Sequence, residues 1–159
     1  MPKNPRDGIF LVKAAARRYL QLVLMNTLPF STWRVFVLRL CGVHIGKDCY
    51  VGFGVMVDTN YPELITIGNS VTISHSCYIF THTQTPALSR LGKTFDSVKG
   101  VKLFSGAWIG ASSLILPGAV VEEDCMVGAG STVRGTLRKG CLYMGNPAKL
   151  VREIFRDSY

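Results

Sequence analysis

An aliphatic residue returns every six positions from Ile45 onward, and this period constrains the fold more than any other feature of the 159-residue chain. The anchors are Ile45, Val51 and Val57, then Ile67, Ile73 and Ile79, and after a gap Leu103, Ile109, Ile115, Val121, Val127 and Val133. Four positions after an anchor stands a small or modest side chain, among them Cys49, Val55, Val71, Cys77, Ala107, Ser113, Ala119, Cys125 and Ser131. One large and one small inward residue per six describes short strands joined by tight turns, with three strands to a triangular coil. The twelve anchors therefore make about four coils. A single coil cannot bury its apolar face; stacking aligns like residues and pairs backbone groups between coils. The predicted fold class is an all-β solenoid, a parallel β-helix.

Glycine follows the anchor at positions 46, 52, 68, 110 and 128, where the turn requires either positive φ or close backbone approach. Two interruptions break the period. One is a four-residue insertion at Tyr61-Pro62-Glu63-Leu64, and the other runs from about Phe80 to Lys102 and holds His82, Arg90, Lys93 and Asp96. Long excursions from a regular scaffold are usually functional loops or disorder.

Ahead of the coils, 7–25 reads as a helix with Lys13, Arg17, Arg18 and Gln21 on a polar stripe opposite Phe10, Ala14, Leu20 and Leu24, ended by Pro29. A second helix is predicted over 32–40, closed by Gly42. The organisation expected is an N-terminal helical segment (1–42), a β-helix (43–144, with its loop at 80–102) and a C-terminal tail (145–159). The helices should cap the open coil end or pack on a neighbouring subunit, with peripheral membrane contact as the sharper alternative.

No stretch reaches the roughly 20 apolar residues of a membrane span, and Lys13, Arg17 and Arg18 interrupt the segment where a secretory signal would need an uncharged core. A cytoplasmic protein is expected, with membrane association as the variant. Five cysteines without a CxxC pair fit a reducing compartment. Cys49, Cys77 and Cys125 fall on small inward positions, while Cys41 and Cys141 have no assignment. The net charge of +8 would suit nucleic acid, an anionic membrane or a polyphosphorylated ligand. No nucleic-acid recognition motif accompanies it.

The repeats, Trp108-Ile109-Gly110, Val127-Gly128-Ala129-Gly130-Ser131 and the closing Gly145-Asn146-Pro147-Ala148-Lys149 resemble the hexapeptide-repeat acetyltransferases, notably the galactoside, maltose and polysaccharide O-acetyltransferases. The lead-in Arg39-Leu40-Cys41-Gly42-Val43-His44-Ile45-Gly46 is similar to the start of those that decorate saccharides. The resemblance implies a left-handed coil, against the usual right-handed rule for parallel crossovers. It also implies a homotrimer with sites between subunits, acetyl coenzyme A as acyl donor, no metal, and a saccharide or other small acceptor.

Acyl transfer to a hydroxyl needs a base, donors for the oxyanion and aligned substrates. The family's histidine corresponds to His82, where the coil breaks into its long loop, although the spacing departs from the galactoside enzyme's pattern. Asp58, Glu63 and Asp96 are candidates to orient it. His75, and Asp58 in a second role, are expected to face the acceptor, and His44 is expected to be structural. The resemblance places Trp108 against coenzyme A, an oxyanion donor at the Gly110-Ala111 turn, and Ala111 and Ala129 along the cofactor arm. Arg134, Lys149 and Arg152 are expected at its phosphates.

The rival readings are an amino-sugar N-acetyltransferase, a zinc enzyme similar to carbonic-anhydrase β-helices using the three histidines, and a non-catalytic scaffold.

Overall fold

The computed structural model describes residues 8–84 and 96–154. Its strands come in threes. β1 (His44–Ile45), β2 (Tyr50–Val51) and β3 (Met56–Val57) are followed by β4 (Ile65–Ile67), β5 (Thr72–Ile73) and β6 (Tyr78–Ile79). A short ribbon of β7 (His82–Thr83) and β8 (Ser97–Val98) interrupts them. Then come β9 (Val101–Leu103), β10 (Trp108–Ile109), β11 (Leu114–Ile115), β12 (Val120–Val121), β13 (Met126–Val127), β14 (Thr132–Val133), β15 (Thr136–Leu137), β16 (Cys141–Met144) and β17 (Lys149–Glu153).

Three parallel sheets form the faces of the solenoid. The first face orders β1-β4-β9-β12-β15, the second β2-β5-β10-β13-β16 with β17 added antiparallel, and the third β3-β6-β11-β14. Anchors lie over anchors. Val51, Ile73, Ile109, Val127 and Tyr143 form one column, and Ile67, Leu103, Val121 and Leu137 another. Except for the half-buried Ile45, every anchor is in the core, as are eight of the nine small inward residues, Cys49 being half-buried. The stacking also runs past Val133 to Leu137 and Tyr143, where the spacing changes and the period of six no longer shows it.

The post-anchor glycines serve close approach and not positive φ. A Cβ on Gly110 would stand 2.5 Å from the Ala129 nitrogen and 2.6 Å from the Val127 oxygen in the next coil. Left-handed backbone falls three positions after an anchor instead, at Asp48, Ser70, Ser76, Ser112 and Asp124 and at several glycines. Asp and Ser tolerate it through local hydrogen bonding.

The helices α1 (Gly8–Thr27) and α2 (Ser31–Leu40) cover the first coil, whose outer edge has no preceding strand to pair with. Their side chains replace the missing strand. Gln21 Oε1 accepts from the Val57 amide at 2.9 Å, Ser31 Oγ from the Val51 amide at 2.8 Å, and Arg34 Nε donates to the Val51 carbonyl at 2.8 Å. Gln21 is thus fully buried, which corrects its expected place on a polar stripe. Arg34 is buried as well, its guanidinium 4.1 Å from the Phe53 ring centre and bonded to the Leu28 carbonyl. Arg34→Met keeps the volume but leaves the Val51 carbonyl without its donor, an expected loss of about 1–3 kcal/mol in urea unfolding.

Candidate active site

Both interruptions occur at one edge of the solenoid, where the chain passes from the third face to the first. The insertion becomes a single 3₁₀ turn, Pro62–Leu64, between β3 and β4, and the long excursion leaves after β6 through the β7–β8 ribbon. Because β3 pairs with β6, Val57 lies beside Ile79, and the residues that follow them meet.

Asp58 and His82 are therefore neighbours. His82 Nδ1 is 2.5 Å from Asp58 Oδ2, and the same oxygen accepts from the Thr81 hydroxyl at 2.6 Å and the Thr81 amide at 3.0 Å. Asp58 Oδ1 accepts from the amides of Asn60 and Tyr61 at 2.9 and 3.4 Å. The carboxylate is nearly wholly buried and engaged on both oxygens, which fits orientation of His82 and not contact with an acceptor. His82 Nε2 lies 3.2 Å from Asn60 Nδ2, and the Tyr61 ring meets the imidazole edge-on at 5.6 Å. With Nδ1–H donated to Asp58, Nε2 carries the lone pair, and the side chain keeps 22% exposure through which a substrate can reach it.

Burial alone would push the Asp58 carboxyl up. The hydrogen bonds from His82, Thr81 and Asn60 outweigh it and hold Asp58 well below the usual carboxylate range. In turn the Asp58 hydrogen bond raises the His82 imidazole above its ordinary value, against the opposing effect of burial and with help from the carboxylate charge.

A cleft of about 250 Å³ opens beside His82, lined by Arg18 and Leu22 of α1 and by Met56, Asn60, Tyr78 and Phe80. Tyr78 and Phe80 stack on each other with ring centres 6.3 Å apart. A second cleft of about 490 Å³ lies across Asn60, against Phe10, Lys13 and Glu63.

Most of the remaining expected residues lie on another edge. Trp108 faces outward from β10 with its indole N–H 3.4 Å from Ser74 Oγ. Gly110, Ala111 and Ala129 occupy turns from the second face to the third, and Lys149 and Arg152 are exposed on β17, opposite Met144 and Leu142 of β16 on the second face. Ala111 and Ala129 are adjacent turns, joined by the Gly130 amide bonded to the Ala111 carbonyl at 2.8 Å. The Gly110 amide is spent on the Val127 carbonyl, so at this turn the Ala111 amide is the one left for an oxyanion. His75 is exposed on this same edge, stacked on Phe53, away from the His82 cleft. Arg134 alone shares the His82 edge, in the turn after β14.

His44 sits on the first face, so the three histidines occupy three separate places. Among the described residues no group of three His, Cys, Asp or Glu could hold a metal. The five cysteines are free thiols, and burial pushes Cys125 up to about 12, far from a nucleophile's range. Arg90 and Lys93 lie outside the described residues.

Residues 100–135 match the family described as bacterial transferase hexapeptide (six repeats). The chain is a hexapeptide-repeat protein. A candidate acetyltransferase of Staphylococcus aureus (strain COL) is 30% identical over 127 residues, covering 67% of this chain. The hexapeptide-repeat chain spans 64% of that relative's length. A candidate acetyltransferase of Bacillus subtilis (strain 168) is 25% identical over 85% of this chain and 75% of its own. Among solved structures, a maltose O-acetyltransferase from Clostridium difficile 630 superposes with TM-score 0.68 at 21% identity, over 96% of this chain and 91% of that one. A galactoside acetyltransferase in complex with coenzyme A gives 0.66 at 18%, over 97% and 90%. These likenesses establish the fold, with which the expected left-handed winding accords.

Thr81, Asn60 and Tyr61 complete the site without standing out in the sequence. A signal for them exists: counting the four inserted residues, Val57 falls opposite Ile79, and residues 58–61 then meet 80–82.

Proposed function

We propose that the chain transfers an acetyl group from acetyl coenzyme A to a hydroxyl of a saccharide, with His82 as general base and Asp58 as the residue that orients it. The observation carrying this reading is the buried Asp58 carboxylate fixing Nδ1 of a part-exposed histidine at the mouth of a cleft. The acceptor hydroxyl takes the place of the Asn60 amide at Nε2, and Nε2 takes its proton as the oxygen bonds to the thioester carbonyl carbon. The C–S bond then breaks, and the proton passes from His82 to the departing thiolate. The Ala111 amide is the donor for the oxyanion. Stacked Tyr78 and Phe80 offer a sugar ring an apolar wall.

Trp108, Gly110, Ala111, Ala129, Lys149 and Arg152 would hold coenzyme A along the edge between the second and third faces, with Arg134 at the far side. Since a single chain separates that edge from His82, the reading takes a homotrimer in which one subunit's coenzyme A edge meets its neighbour's His82 edge.

The pH profile tests the pair. A protonated His82 is no base, so kcat/KM should fall as pH drops through a value above the ordinary histidine pKa of about 6.5. Asp58→Asn removes the charge that favours the imidazolium and sets an NH2 group where one carboxylate oxygen accepted, so this acid limb should move to lower pH while the rate falls by up to about 10⁴-fold. An acid limb identical in the two proteins contradicts the role given to Asp58.

A further inference from the structure

The face that α1 turns away from the coils is apolar up to its last turn, where exposed Asn26 and Thr27 bond back to the Leu22 and Val23 carbonyls. At about 100° per residue, Leu11, Leu22, Tyr19, Val12, Val23 and Ile9 follow one another around half of its circumference. All six are exposed, Ile9 at 74% and both Val12 and Tyr19 at 69%. Arg18 and Lys13 border this stripe on its two sides, and among the described residues neither donates to a protein acceptor. The second helix continues the pattern, with Trp33, Phe36 and Leu40 exposed on one side and Phe30 edge-on to Trp33. Between residues 8 and 47 the sequence has Lys13, Arg17, Arg18, Arg34, Arg39 and Lys47 and no Asp or Glu.

An exposed apolar face of this extent on a monomer marks a partner or a lipid surface. No described helix is long and apolar enough to cross a membrane. A second copy meeting this face with its own would bring Arg18 and Lys13 against their like, whereas an anionic surface complements them. Apolar and aromatic residues on one side, cations at the border and no acid in between are what an interfacial helix requires.

We infer that α1 and α2 seat the protein on an anionic lipid bilayer. Ile9, Val12, Tyr19 and Trp33 enter the interface, and Lys13 and Arg18 lie at the level of the headgroup phosphates. Arg18 and Leu22 also form one rim of the His82 cleft, so that rim lies beside the bilayer surface.

Sedimentation of the full chain with phosphatidylcholine vesicles, with and without phosphatidylglycerol, tests this independently of any acetyl transfer. Phosphatidylglycerol should raise the bound fraction about tenfold at low salt, and the gain should shrink at high salt. V12E/Y19E should lose this binding at unchanged oligomeric mass, and the charge reversal K13E/R18E, which leaves the apolar stripe intact, should lose the phosphatidylglycerol-dependent part. Wild-type protein left in the supernatant with both vesicle types would overturn the inference. So would a fall in oligomeric mass for V12E/Y19E, which would place this face between copies of the chain.

Discussion

His82→Ala is expected to lower kcat/KM for acetyl transfer by about 10²–10⁴-fold, the range general base catalysis supplies, while the coil stays folded. The imidazole is held from three sides, by Asp58 at Nδ1, by the Tyr61 ring edge-on and by Asn60 at Nε2, so its removal takes away a positioned base and one donor to the buried Asp58 carboxylate, at a cost of about 1–3 kcal/mol. His82→Gln should be equally inactive, since an amide can occupy the site without accepting a proton. Steady-state thiol release measures the effect, and circular dichroism confirms that the coil survives. Activity within a few-fold of wild type would remove His82 from the mechanism.

The second large effect concerns the scaffold. Ile109→Ala should cost about 2–5 kcal/mol in urea unfolding, because the side chain is fully buried in its column between Ile73 and Val127. Its strand partner Trp108 points outward, and Trp108→Ala should cost under about 1 kcal/mol. The contrast between adjacent residues tests the inward–outward alternation directly. Equal losses would contradict it.

The core is legible because stacking forces like residues into columns, so Val51, Ile73, Ile109 and Val127 show as a period along the chain itself. Legibility fails where a contact depends on chemistry outside the period. Gln21 reads as a surface residue on a helical wheel, yet it buries to satisfy an edge amide. Leu137 and Tyr143 continue the columns at altered spacing. In the sequence Asp58 reads both as a partner for histidine and as an acceptor contact. Only the pairing of β3 with β6, offset by the inserted turn, puts it behind the ring. The post-anchor glycines leave two explanations open, and the approach of the next coil at Gly110 selects one.

Acetyl transfer to a saccharide hydroxyl is the reaction proposed for His82 and Asp58. Incubation of the protein with acetyl coenzyme A and a panel of saccharides and amino sugars, following thiol release and acceptor mass together, tests it most directly. Thiol release should be matched one for one by an acetylated saccharide whose new bond is cleaved by hydroxylamine, as an ester is and an amide is not. Acetyl groups found only on amines, or no acceptor-dependent thiol release across the panel, would contradict it.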